Sequence, residues 1–122
     1  MTAYVKIGAV FAFLAVAIGA FGAHILEGRI TEHEMDIYHT GVQYQMFHAA
    51  GILLVAALAD KLISRKLAVW ACRLLLAGIV LFSGSLYALA LGGIDVLGAI
   101  TPIGGVAFLA GWICLALAAK KS

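Results

Sequence analysis

Charged residues along this chain are confined to short clusters, and between them lie four runs without a single Asp, Glu, Lys or Arg. The runs cover residues 7–26, 37–59, 74–94 and 96–119, with 20, 23, 21 and 24 positions. A helix rises about 1.5 Å per residue and the hydrocarbon core of a bilayer is about 30 Å thick, so about 20 apolar residues suffice to cross it. The pattern predicts an all-α integral membrane protein, a four-helix bundle with short loops in one transmembrane domain over residues 1–122. The clusters also mark where helices begin and stop. Thr31-Glu32-His33-Glu34 reads as a capping box, so the second helix is expected to start near Glu32 and run unbroken to Ala59. Gly92-Gly93 ends the third, and Thr101-Pro102 reads as an N-cap followed by proline at the first helical position. The expected spans are therefore about 7–26, 37–59, 74–92 and 102–119.

Composition agrees with this pattern. Hydrophobic residues make up 65% of the chain and charged residues 11%, against about a quarter charged in soluble domains. Little chain is left for a soluble catalytic domain. The net charge of +2 conceals an asymmetry. Lys6, then Lys61, Arg65, Lys66 and Arg73, then Lys120 and Lys121 all fall at one set of helix ends. Only Arg29 falls at the other, among Glu27, Glu32, Glu34 and Asp36. The positive-inside rule predicts cytoplasmic termini and a cytoplasmic Lys61–Arg73 loop, with Glu27–Asp36 and Asp95 outside.

Cations beside membrane spans are accounted for by topology and anionic headgroups. No basic stripe interleaved with aromatics suggests nucleic acid. Cys72 and Cys114 fall toward the reducing side at a spacing that matches no metal or redox motif, and read as packing residues. The first run is longer than the apolar segment of a signal peptide, and is expected to remain as a span. Tyr4 and Trp70 fit the inner interface, where amphipathic rings anchor.

Polar groups at membrane depth are informative because each must find a partner there. Thr40, Tyr44 and His48 recur at a four-residue spacing on the second helix, with Gln45 three before His48. Ser83, Ser85 and Tyr87 lie in the third helix, His24 ends the first, and Thr101 opens the fourth. Read by sequence position, all map to the outer half of the bilayer. One reading is an interhelical hydrogen-bond network that holds the bundle in register. A second is an outward-facing pocket for a lipid or small ligand around His48. A third, a divalent metal held by His24, His33, His39 and His48, is weakened because His33 and His39 are six apart rather than four. Ser83-Gly84-Ser85 lacks the flanks of a nucleophile elbow, and no intramembrane carboxylate orients His48 as a base. A Ser85–His48 pair is all that an enzymatic reading retains. Pumps normally use buried carboxylates or arginines, and these runs contain neither. No catalytic residue, cofactor or metal is assigned.

Small residues recur at packing spacing, Ala15, Gly19 and Ala23 in the first helix and Gly84, Ala88 and Gly92 in the third. These favour an antiparallel bundle and leave self-association open.

Four motifs occur in order: Gly19-Ala20-Phe21-Gly22-Ala23-His24; Tyr44-Gln45-x-x-His48; Leu81-Phe82-Ser83-Gly84-Ser85-Leu86-Tyr87; and Ile100-Thr101-Pro102-Ile103-Gly104-Gly105 with Gly111-Trp112. Together they resemble the bacterial "domain of unknown function 423" family of small four-span membrane proteins, which are similar to a eukaryotic transmembrane protein of obscure role. The resemblance covers nearly the whole chain. It implies an inner-membrane protein of uncharacterised role, and supplies no catalytic or cofactor residue. Gly19, Gly22, Ala23, Gly84, Gly104 and Gly105 are the expected close-approach positions. His24, Thr40, Tyr44, Gln45, His48, Ser83, Ser85, Tyr87 and Thr101 are the candidate polar cluster. The expected role is a structural or scaffold protein acting on membrane or envelope properties. Its expected partners are membrane lipids, further copies of itself and another membrane protein. The alternative is lipid or small-ligand binding or transport.

Overall fold

The computed structural model describes residues 1–119, so Lys120 and Lys121 of the charge argument lie outside the described residues. Four helical segments are long and apolar enough to cross a membrane: Thr2–Leu26, Glu32–Lys61, Arg65–Gly92 and Asp95–Ala118. The first comprises α1 (Thr2–Phe21) and a π-turn, Gly22–Leu26. The second is α2 (Glu32–Leu58) closed by a 3-10 turn, Ala59–Lys61. The third is α3 (Arg65–Gly78), a second π-turn (Ile79–Ser83) and α4 (Gly84–Gly92). A 3-10 turn, Asp95–Ala99, leads into α5 (Thr101–Ala118).

Two helix starts, those of α2 and α3, are capped by side chains. At α2 the Thr31 hydroxyl accepts from the Glu34 N–H at 3.0 Å, and the Glu34 carboxylate accepts from the Thr31 N–H at 2.8 Å. This is the expected capping box, and it answers two of the N–H groups a helix start leaves free. Gly93 at φ 63° ends α4 in the left-handed region that favours glycine. Two expectations change. The third helix begins at Arg65, well before residue 74, because Ser64 caps it through the Leu67 N–H and charged side chains do not interrupt a helix. Most of the Lys61–Arg73 loop is therefore helical. Thr101 does not cap α5: Ile100 holds that position, and the Thr101 hydroxyl is directed to another helix.

α2 is the central element, touching α1, α3 and α4, while α5 packs chiefly on α3. In the most apolar stretch of the second and third spans 44% and 39% of residues are buried, against 11% and 17% in the first and fourth. The outer pair thus flanks an inner pair. Toward the helix ends near Lys61 and Arg65 the core is apolar, built from Ile52, Val55, Ala68, Ala71, Cys72 and Leu75 with neighbours. There the Ile63 N–H donates to the Ala118 carbonyl at 2.9 Å, tying the α2–α3 connection to the end of α5. Arg73 donates to the Tyr4 hydroxyl at 3.2 Å and lies 5.4 Å from the Trp70 ring centroid. Cys72 is buried, and both cysteines are free thiols.

Candidate functional site: an interhelical polar seam

Among the described residues the buried polar side chains are Gln45, His48, Ser83 and Ser85. All four lie on α2 or the third span, where burial is deepest. Gln45 bridges three helices: its amide N–H donates to the Phe11 carbonyl of α1 at 2.9 Å, and its carbonyl oxygen accepts from the Tyr87 hydroxyl of α4 at 2.6 Å. Ser83, the last residue of the second π-turn, donates to the Gly41 carbonyl of α2 at 2.7 Å. Ser85 donates to the Phe82 carbonyl at 2.9 Å and meets the Thr101 hydroxyl at 2.5 Å. With its own hydrogen so placed, Ser85 accepts from Thr101.

His48 has the most complete environment. A carbonyl only accepts and an indole N–H only donates. The Tyr44 carbonyl, 2.8 Å from Nδ1, therefore takes an Nδ1–H. Nε2 in turn accepts the Trp112 indole N–H of α5 at 3.0 Å. The imidazole is neutral with its proton on Nδ1, and both nitrogens are engaged. Phe108 stacks on the ring, centroids 3.6 Å apart and planes 14° apart. Gly78 makes that possible, since a Cβ there would overlap the Phe108 ring. Likewise Gly41 admits the Tyr87 ring, and Gly104 lets α5 lie against the backbone of Phe82.

The candidate cluster is thus divided. Gln45, His48, Ser83, Ser85, Tyr87 and Thr101 join helices, though as successive pairs rather than one site. They also spread along the helices: Gln45 meets α1 at Phe11, and Trp112 lies well along α5. His24 does not join. It sits exposed in the first π-turn, whose wider turn rotates later positions away from where a regular helix would place them. The Thr40 hydroxyl turns back to the Asp36 carbonyl of its own helix at 2.9 Å. Tyr44 is 43% exposed, and packs by its ring 4.5 Å from Phe82.

The packing positions divide as well. Gly22 is buried against Tyr38, and Gly19 lies near Val42. Ala23 is exposed, Gly84 faces open space, and Gly105 has only a loose contact with Phe82. Sequence reasoning missed Tyr38, whose hydroxyl donates to the Ile18 carbonyl at 2.5 Å, and the pair Phe108 and Trp112 around His48. Trp112 stood in a quoted motif, and its indole N–H at membrane depth was the available signal.

Six side-chain hydrogen bonds therefore cross between helices along this seam. At about 0.6 kcal/mol each in a membrane they contribute about 4 kcal/mol. Among the described residues no buried side-chain nitrogen or oxygen lacks a partner, and no three His, Cys, Asp or Glu side chains are grouped to hold a metal.

Residues 18–105, which carry nearly all of this seam, match the family described as protein of unknown function (DUF423). The chain belongs to this family. It is 54% identical over 121 residues to the UPF0382 membrane protein YwdK of Bacillus subtilis (strain 168), covering 99% of this chain and 98% of that one. It is 47% identical to the UPF0382 membrane protein SERP0230 of Staphylococcus epidermidis, with the same coverage of each chain. With SAB0533 of Staphylococcus aureus (strain bovine RF122 / ET3-1), also named a UPF0382 membrane protein, it shares 44% identity over 99% and 98% of the two chains. No solved structure matches the chain. Like these relatives, it is a membrane protein of an uncharacterised family.

Proposed function

We propose that the chain is a non-enzymatic scaffold of the bacterial cytoplasmic membrane, with both termini cytoplasmic, that presents a rigid helical surface to other membrane components. The observation that supports this reading is the pairing of every buried polar side chain with protein among the described residues. A hydrolase acting through Ser85 and His48 needs a base within reach of its nucleophile. Here the Ser85 hydroxyl serves Phe82 and Thr101, and both nitrogens of His48 serve Tyr44 and Trp112. Groups so engaged hold helices together.

A second reading is favoured by one feature. A cleft of about 450 Å³ runs along the flank of the bundle between α2 and α5, lined by Tyr44, His48, Phe82, Phe108 and Trp112 among others. Its size and aromatic lining suit a lipid chain or small apolar molecule arriving from the bilayer. Native mass spectrometry from mild detergent, on the unmodified chain and His48→Ala, separates the two. The scaffold reading expects a ligand-free spectrum and a smaller folded fraction in the variant. A co-purifying molecule that disappears with His48 would replace it with the binding reading.

A further inference from the structure

α2 is the central helix, yet one stripe of it is covered by no other helix of the chain. Asp36, His39, Gln43, Met46, Ala50 and Ala57 are all exposed. Their spacing is three, four, three, four and then seven, the seam of a left-handed helix pair interrupted at Leu53, which packs against Gly8 of α1. The stripe is not uniformly apolar, as a lipid-facing surface should be. Gln43 lies six residues, about 9 Å, into an uncharged run, and its amide has no hydrogen-bond partner among the described residues. An amide facing hydrocarbon alone forfeits its hydrogen bonds. Asp36 and His39 stand at the aqueous end, and the ion pair among the described residues joins neither of them.

We propose that two copies of the chain pair through this face of α2. All copies of a membrane chain share one orientation, so the two α2 helices run parallel about a twofold axis along the membrane normal. Gln43 of each copy then meets its own equivalent. A carboxamide carries both donor and acceptor, so two of them satisfy each other, and a lone polar residue in a seam fixes register. Ala50 and Ala57 permit close approach at the same seam position one and two heptads on. Asp36 of one copy comes beside His39 of the other. A lipid tail on this stripe would supply neither hydrogen bonds nor charge.

The test uses the full-length chain in lipid vesicles. Gln43→Cys and Ala50→Cys, in a background with Cys72→Ala and Cys114→Ala, are expected to form symmetric disulfide dimers on mild oxidation. Val106→Cys, on the exposed side of α5, is expected to stay monomeric. Because Gln43→Cys removes the amide under study, dimer dissociation is also followed by energy transfer in the wild-type background. Gln43→Leu is expected to weaken the dimer about three- to eightfold, the effect of one or two interhelical hydrogen bonds. No cross-link at positions 43 and 50, equal cross-linking at 106, or unchanged dissociation for Gln43→Leu would each overturn the proposal. So would a monomer whose bound lipid is lost in Gln43→Leu.

Discussion

Residue 48 illustrates how a single polar side chain is accommodated in the bundle. His48 is 4% exposed, with a carbonyl on one nitrogen, an indole on the other and Phe108 against its face. Trp112→Phe keeps an aromatic ring but removes the donor, leaving Nε2 without a partner. Unfolding of the purified protein in detergent should show it less stable by about 0.6 kcal/mol and by no more than about 1.7, the range measured for such bonds in membranes. Much of the seam was legible at this scale. Gln45, His48, Ser83, Ser85, Tyr87 and Thr101 announce themselves as polar groups inside apolar runs. Their partners did not, because four of the acceptors are backbone carbonyls, those of Phe11, Gly41, Tyr44 and Phe82. Every residue carries a carbonyl, so no letter marks the one that is used. Phe108 was equally silent, since phenylalanine in a span reads as lipid-facing or core with equal ease.

Between elements, fit is decided by where backbones touch. Gly104 on α5 lies against the Phe82 backbone, and main chain cannot swing aside as a side chain can. Gly104→Ala is expected to cost about 1–3 kcal/mol as overpacking, whereas Gly84→Ala enters open space and should be neutral or up to about 1 kcal/mol stabilising. Paired thermal melts check both. The first turn of α2 adds a pH dependence. The Thr31 N–H, with its hydroxyl, holds the Glu34 carboxyl below the ordinary carboxylate range. A lowered folded-state value means the cap is fully present above that ordinary range and fades as pH falls through the lowered one. The protection of the Thr31 amide against exchange, taken relative to its unfolded rate at each pH, should therefore fall on acidification, and Glu34→Gln should abolish the trend. The cap and the Gly92–Gly93 stop were readable because each is a local motif. The two π-turns were not: they answer to packing across the bundle, and a hydrophobic run looks the same with or without one.

For the whole molecule, the proposed orientation rests on charge, and it predicts that reporters fused to either terminus are active only on the cytoplasmic side. A reporter placed in the turn at Gly28, beside Arg29, should behave oppositely. Reversing the balance by Arg65→Glu, Lys66→Glu and Arg73→Glu should yield mixed topologies in the same assay. The architecture was the most legible scale, because four uncharged runs of bilayer length leave few alternatives. Which spans are central was not, since flank and core helices are equally apolar when both sides of a flank helix meet hydrocarbon. The π-turns have one further consequence, for how such a chain tolerates insertion and deletion. A turn closed by bonds from residue i to i+5 holds one residue more than an ordinary turn. Removing a single residue from Ile79–Ser83 lets the helix close normally, with Ser85 and Tyr87 still facing their neighbours. A one-residue deletion in the middle of α2 has no such slack, and would turn all that follows by about 100°. Length can drift at one joint of this protein while it is frozen a few ångströms away.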